Sequence, residues 1–414
     1  MAAWSNRRMW AVVGAGHGGQ ALAAYLALKG ENVSLYNRTP GRLEGIRRRG
    51  GIQLEGVVRG FARLALATSD LEEALDGATI IMVVVPASAH SELATAMAPY
   101  LQSGQVVILN PGRTLGALVF AHRLREAGAS PDVTVAETET FIFASRYIES
   151  GRSMIQGIKR RVRVAALPAM RTASVVHLVR PILPQFVAVG SVLETGLSNI
   201  GAIFHPAPTL LSVSRVEGES EFDHYREGIS PAVARALETL DAERLEVARS
   251  FRVRVLSAKA WLASVYGSVG ETLHKAIQNT PAYAGLKAPS SLDHRYVFED
   301  VPTSLVPLAD LARVTGRPAK LTEALIVLAG AVTGIDWQAR GRTLASVGLG
   351  DLDVHEIREY VAVGFRTPHR RHASGPARLG SFAEPAAEAV RAEVYGARAE
   401  VYGADDLLET EATS

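Results

Sequence analysis

The sequence predicts an α/β protein, a doubly wound parallel sheet followed by a mostly α-helical second domain, on three observations. Met9 to Val13, Val33 to Tyr36, Thr79 to Val85 and Val106 to Leu109 are short, nearly unbroken apolar runs, as parallel strands covered on both faces require. Stretches with helical spacing separate them, and this alternation fits right-handed crossovers within one sheet. From about Gly190 the character changes, and Pro231 to Ser250, Ala258 to Gln278 and Leu305 to Thr333 carry long helical patterns instead.

The first helix is expected over Gln20 to Lys29, Ala/Leu-rich and stopped by Gly30. Thr39 before Pro40 reads as an N-cap with proline at the first helical position, and Ser69-Asp70-Leu71-Glu72 fits a capping box. A boundary near 185, around Arg180 to Pro184, divides a dinucleotide-binding domain (1–185) from a helical catalytic domain (186–365). Residues 366–414 form a tail. It holds Arg366, His369, Arg370, Arg371 and His372, and then a seven-residue unit, Arg391 to Ala397, repeated at once as Arg398 to Ala404. Such a tandem copy suits a solvated tail without catalytic residues.

At 414 residues the chain exceeds what one small core supports. Lys plus Arg number 44 against 42 Asp plus Glu, a formal charge of +2, so no broad field gathers nucleic acid or an anionic membrane. Cysteine is absent, which excludes disulfides, thiolate metal sites and cysteine nucleophiles. The apolar runs fall short of the roughly 20 residues a membrane span needs, and the basic start leads into a strand and glycines rather than a signal-peptide core. A cytoplasmic protein acting on small molecules, assembled as a homodimer, is expected.

Gly14, Gly16, His17, Gly18 and Gly19 lie directly after a strand and before a helix. That context gives the glycines the jobs of the dinucleotide-binding (Rossmann) turn: a tight bend, close approach of a pyrophosphate, and close helix packing. The helix N-terminus then offers free N–H groups to phosphate. About 20 residues on, where an acid would hold a ribose 2′-hydroxyl, the chain has Asn37, Arg38 and Thr39, with no carboxylate before Glu44. A guanidinium there complements a 2′-phosphate, so NADP is favoured over NAD. Pro86, in the turn after the Thr79 to Val85 run, is expected near the cofactor, and Asn110-Pro111-Gly112-Arg113-Thr114 forms a similar strand exit.

In the second half, His205 precedes Pro206, and Arg295 and Asp300 flank an aromatic stretch between Pro289 and Pro302. Charges in so apolar a setting imply an internal ion pair or a site. An imidazole, a guanidinium and a carboxylate suit reduction of a carbonyl or imine beside a carboxylate. Histidine can deliver a proton, a carboxylate can orient it and favour its charged form, and arginine can fix a planar carboxylate.

Asn199 to Pro208, Tyr225 to Pro231, Leu240 to Arg244, Pro281 to Tyr283, Ala288 to Tyr296, Glu299 to Pro302 and Gly341 to Thr343, with Glu137 to Thr140 earlier, resemble the octopine/nopaline (opine) dehydrogenase family in consistent order from about residue 9 to about 360. That resemblance implies NAD(P)H-dependent reductive condensation of an amino acid or other amine with an α-keto acid through an imine. It further implies that His205 and Asp300 form an acid/base pair, that Arg295 holds a substrate carboxylate, and that Thr140 lines the substrate site, with no metal. Two other readings stay open. A 3-hydroxyacid dehydrogenase or ketopantoate reductase would use Lys275 with Asn279, and a non-catalytic NADP-binding sensor would need neither set.

Overall fold

The computed structural model describes residues 9–364; the tail assigned to 366–414 lies outside the described residues. Twelve strands occur in chain order among them: β1 Met9–Val13, β2 Asn32–Tyr36, β3 Ile52–Gly56, β4 Gly60–Ala62, β5 Leu66–Thr68, β6 Ile80–Val83, β7 Val106–Leu109, β8 Thr134–Thr138, β9 Phe143–Glu149, β10 Arg152–Ile158, β11 Val162–Leu167 and β12 Phe186–Ala188. Eight of them build one sheet in the order β12-β11-β8-β7-β6-β1-β2-β5. Strands β6 and β7 are buried along their whole length, which is why they read as unbroken apolar runs; β8 is equally buried but carries Thr134, Glu137 and Thr138. Strand order reverses between β1 and β6, and a crevice for ligand opens there at the carboxyl ends of the strands.

The sheet is parallel, as expected, except at one edge. β5, β2, β1, β6, β7 and β8 are parallel, but β11 runs antiparallel to β8, and β12 follows β11. Between β8 and β11 the chain makes the β9–β10 hairpin and returns to the end of the sheet it left, without a crossover helix. Only an antiparallel neighbour can be joined in that way. Because β12 pairs with β11, the sheet extends to Ala188.

The hairpin joins β3 and β4 in a second sheet, ordered β4-β3-β10-β9, which the apolar runs did not reveal. Helix His17–Leu28 explains its presence. Residues Gly19 to Leu26 of that helix are all buried, so the helix is apolar on every side and needs cover on the side away from the large sheet. Alternating burial along β10 is the one-sided pattern of a covering strand.

Local start and stop signals shifted by a residue or split the long patterns. Asp70, not Ser69, caps helix Leu71–Leu75, accepting from the N–H groups of Glu72 (2.8 Å) and Glu73 (3.2 Å). The helix after Thr39 starts at Gly41 with no side-chain cap. The pattern over 258–278 breaks into Ala258–Tyr266 and Leu273–Gln278 at Gly267, whose φ of +67° ends the first helix. Gly316, also at φ +67°, and Pro318 separate Val306–Val314 from Lys320–Thr333.

The helical half is not independent of the sheet. Leu308, Leu311, Ile357 and Val361 share a core with Val13, Val83, Val107 and Phe120, whereas Phe204, Leu237, Leu262, Ile277 and Val301 form a core of their own. Asp241 and the nearly fully buried Arg244 pin the lobe's entry: Arg244 bonds Asp241 through two nitrogens and donates to the carbonyls of Leu197 and Leu256. Asp241 in turn accepts from Ala258 N. No helix among the described residues is long and apolar enough to cross a membrane.

Candidate active site

The glycine turn divides its labour as its spacing predicts. Gly14 has φ +111°, and a Cβ there would stand 2.5 Å from the Val84 carbonyl oxygen; one on Gly19 would stand 1.6 Å from Gly14 O. Both are glycine because protein fills the space. A Cβ on Gly16, which precedes the helix, meets nothing within 4 Å, so this backbone is open to a ligand. Gly16→Ala is therefore expected to keep the wild-type melting temperature yet weaken NAD(P)H binding by about tenfold or more, since one methyl enters the pyrophosphate's space. Fluorescence titration alongside thermal melting checks this; unchanged affinity would count against the turn as the cofactor site.

The other candidates for the cofactor divide between bracing and access. Asn37 Oδ1 accepts from Ala15 N (2.9 Å) and its amide donates to the Thr39 carbonyl, tying the end of β2 to the turn. Arg38 is exposed and lies 3.4 Å from an equally exposed Glu92. His17 turns the other way. Its Nδ1 accepts from Tyr147 N at 2.7 Å, and burial, then Arg42, pushes the imidazole down to about 4. It is thus a neutral clasp between helix and small sheet. Pro86 is exposed and opens the turn Ala87–Ala89, whose first N–H donates to Glu299 of the helical half (3.1 Å).

The structure brings His205, Asp300 and Arg295 to one place. His205 sits between helices Gly201–Phe204 and Pro206–Leu210, where Pro206 starts the second. The imidazole stacks on Tyr296, with centroids 4.3 Å apart and planes at 14°. Its Nδ1 is 2.8 Å from Oδ2 of Asp300, a residue with no solvent exposure. The other Asp300 oxygen accepts from Ser304 (3.2 Å) and lies 3.5 Å from Arg113 Nη1. Arg295 opens the short helix Arg295–Phe298 and pairs with Glu299 at 3.6 Å. Its charge lowers His17, His205 and Asp300 alike.

Electrostatics correct one expectation. Burial lowers the His205 pKa below its ordinary 6.5; Asp300 pulls it up, through charge and hydrogen bond, without overcoming burial. The carboxylate partner does favour the charged imidazole, but desolvation outweighs it. For Asp300, burial pushes the carboxyl up, yet Arg113, His205 and Arg295 together hold it well below the usual range. With Asp300 ionised, the proton on Nδ1 is fixed and Nε2 becomes the titrating nitrogen.

Arg113 is the residue that sequence reasoning under-used. It sits in the β7 exit turn at φ +62°, donates to Asn199 Oδ1 (3.0 Å), and Asn199 donates to Ser304 (2.8 Å). The signal was present in the Asn110 to Thr114 exit, but nothing local showed that it reaches the helical half. Arg342 locks the same region from behind, donating to the carbonyls of Gly112 (2.9 Å), Thr114 (3.0 Å) and Ala87 (2.7 Å). Glu137 is fully buried, bonded to Ala117 N and Thr195, and burial raises it to about 7.

A cavity of about 120 Å³ adjoins the pair, lined by His205, Arg295, Arg113, Thr140, Lys159 and an aromatic wall that includes Trp261. Phe141 lines it too and faces Gly18 of the cofactor turn, so the cavity meets the crevice. Thr140 accepts a hydrogen bond from Lys159 at 2.6 Å. Lys275 and Asn279 are exposed on helix Leu273–Gln278 and just beyond it, and neither lines this cavity.

Comparisons with known proteins agree with this geometry. Residues 188–333 match the family described as NAD/NADP octopine/nopaline dehydrogenase, alpha-helical domain, and residues 10–112 match the NAD-dependent glycerol-3-phosphate dehydrogenase N-terminus. The chain is 41% identical over 355 residues to an opine dehydrogenase of Arthrobacter sp. (strain 1C), covering 86% of this chain and 99% of that one. Protein ocs of Agrobacterium tumefaciens (strain Ach5) is 25% identical over 353 residues, covering 84% and 97%. Octopine dehydrogenase in complex with NADH and agmatine superposes with a TM-score of 0.74 at 21% identity, covering 87% and 99%, which shows the shared fold. A ketopantoate reductase from Ralstonia eutropha JMP134 reaches 0.57 at 18%, covering 78% and 98%. With identity of that level along nearly the whole of the Arthrobacter relative, the chain belongs to the opine dehydrogenase family and is an NAD(P)-dependent oxidoreductase.

Proposed function

We propose that the enzyme condenses the amine of an amino acid with an α-keto acid and reduces the resulting imine to a secondary amine dicarboxylate. The observation that carries this is the His205–Asp300 pair at 2.8 Å, opening on a cavity that Arg295 also lines. Bound nicotinamide supplies the hydride. His205 Nε2 gives a proton to the group being reduced, Asp300 fixes the ring and offsets the imidazolium charge, and Arg295 holds the keto acid's carboxylate through its planar fork. A carboxylate docking on Arg295 masks one cation that now disfavours a charged His205, so substrate itself readies the acid. Thr140 lines the amine side. The structure favours this reading over the lysine-dependent reductase because Lys275 points to solvent, and over a sensor because a sensor has no use for a buried, aligned acid/base pair.

NADP is the preferred cofactor in this reading. Arg38 stands exposed where a 2′-phosphate would lie, and its contact with exposed Glu92 is weak enough for a phosphate to displace. The Gly14–Gly19 turn takes the pyrophosphate, with Asn37, Thr39 and Pro86 at its rim. Cytoplasmic location and a homodimer belong to the same reading; light scattering giving the mass of a single chain would remove the dimer.

The test is oxidation of NADPH and of NADH by purified protein with amino acids paired against pyruvate, glyoxylate, 2-oxoglutarate and oxaloacetate, followed by product mass. At least one pair should give the reduced condensation product, faster with NADPH. Turnover of the keto acid alone would instead indicate a hydroxyacid dehydrogenase, and tight NADPH binding with no turnover of any pair would indicate a sensor.

A further inference from the structure

We propose that Arg342 is a positioning residue for the proton transfer, holding the strained β7 exit turn so that the Arg113 guanidinium lies against Asp300. This rests on the acid/base role given to His205 above. Arg342 belongs to the helical half, and its own N–H donates to the Pro302 carbonyl (2.9 Å), two residues beyond Asp300. Its guanidinium crosses to the sheet half. Nη1 donates to the carbonyls of Gly112 (2.9 Å) and Thr114 (3.0 Å), the residues on either side of Arg113. Nη2 donates to the Ala87 carbonyl (2.7 Å) in the β6 exit turn and meets His90 Nδ1 at 3.2 Å. One side chain thus bolts two strand exits to the segment that carries Asp300, without itself lining the cavity.

The turn needs holding. Arg113 (φ +62°) and Leu115 (φ +59°) both adopt left-handed backbone, which residues other than glycine rarely take up and which persists only where the surroundings enforce it. Two more ties reach it from the helical half: Thr114 N donates to the Thr303 carbonyl (3.2 Å), and the Thr114 hydroxyl donates to the Gly196 carbonyl (3.0 Å). So held, Arg113 Nη1 lies 3.0 Å from Asn199 Oδ1 and 3.5 Å from Asp300 Oδ1. Arg342 is buried, and burial draws its guanidinium down to about 10, with Glu137 and Glu299 opposing, so it stays charged at neutral pH. The planar fork matters as much as the charge, because a compact lysine ammonium cannot serve carbonyls of two separate turns from one place.

The charged and titratable groups acting on His205 are Asp300, Arg113 and Arg295. His224 and His294 pack on Tyr296 behind it, and burial pushes them down to about 4 and about 3, so both are neutral. Arg113 disfavours a positive charge on His205. A turn that lets Arg113 swing away removes a cation from the His205–Asp300 pair and raises the pair's affinity for a proton.

The experiment follows kcat/KM against pH in the oxidative direction, with whichever reduced product the substrate panel yields. It compares wild type, Arg342→Gln, Arg342→Lys, Arg113→Met and the Arg342→Gln/Arg113→Met double variant. Each Arg342 change should lower the plateau by about tenfold or more and move the limb set by His205 to higher pH by about half a unit or more, lysine less than glutamine. In the Arg113→Met background the Arg342 change should move the limb no further, because the guanidinium through which it acts is gone. A merely structural arginine would lower the melting temperature and leave the limb in place. A folded Arg342→Gln with an unmoved limb overturns the proposal, as does a shift that adds in full to that of Arg113→Met. Should Arg342→Gln not fold, Arg342→Lys, which keeps the buried charge, is read by the same criteria. Wild type with no such limb removes His205 from the proton path and this proposal with it, whereas a limb present in wild type and unmoved in the variants sinks the role of Arg342 alone.

Discussion

His205→Ala is expected to lower kcat by roughly 100-fold or more, the usual worth of a positioned general acid, while NAD(P)H affinity stays close to wild type. The imidazole is bonded to Asp300, lines the cavity and is the kind of group that exchanges a proton near neutral pH. The pH dependence carries a sharper signature. In the oxidative direction, from secondary amine to imine, His205 must be neutral to take the proton. Burial holds its pKa below 6.5, so kcat/KM for oxidation should rise with pH along a limb centred below 6.5 and then flatten. That limb reports the free enzyme and should vanish in the variant. A limb centred at 7 or above in wild type, or an unchanged limb in His205→Ala, would remove His205 from the proton path.

The parts of the molecule that were legible in the sequence are those fixed by local pattern. β1, β2, β6 and β7 are short apolar runs because each is covered on both faces, and Gly14, Gly16 and Gly19 advertise a turn whose sterics need glycine. The small sheet was not legible. β3, β4, β9 and β10 are half-buried, with mixed composition, and they exist because helix His17–Leu28 needs cover, a demand set by tertiary structure rather than by their own periodicity. Reversal of β11 has the same origin, since the β9–β10 hairpin decides which way the chain re-enters the sheet.

Site residues followed a similar division. His205, Arg295 and Asp300 stood out because charge and imidazole in apolar surroundings are costly, and the resemblance to the opine dehydrogenases gave them roles. Arg113 and Lys159 lie in the first half of the chain, the one in a stretch that reads as a strand exit and the other where the sequence pattern marks no element. Only folding carries them to the cavity, and no spacing rule links residue 113 to 300 or 159 to 140. Likewise the His205 pKa could not be signed from the sequence, because a carboxylate partner and burial act in opposite directions and only the extent of burial decides.

Asp300→Asn is expected to lower kcat by about 100- to 10,000-fold, the range spanned by loss of general catalysis and by loss of the carboxylate that orients a catalytic histidine. The side chain keeps its shape, but neither amide orientation serves the site. With its carbonyl towards His205, the amide N–H₂ faces the Arg113 guanidinium, 3.5 Å from Oδ1, and Ser304, which already donates to Oδ1; with the amide towards His205, Nδ1 must accept and the ring takes the tautomer that leaves a proton on Nε2. Stability should fall as well, by up to about 3 to 5 kcal/mol, because the change strips one partner from a buried pair and leaves the Arg113 guanidinium with the Glu299 contact at 3.7 Å in place of two carboxylates. The pH dependence of that loss has a fixed sign. Asp300 is held below its unfolded value of about 3.9, so its contribution is fully present above that pH and disappears as pH falls through the folded value. Denaturation of wild type and Asp300→Asn should therefore show a gap that is constant from pH 6 to 8 and closes in acid below about pH 4. A gap that widened in acid, or a variant as active as wild type, would mean that Asp300 is neither ionised in the folded protein nor the partner that orients His205.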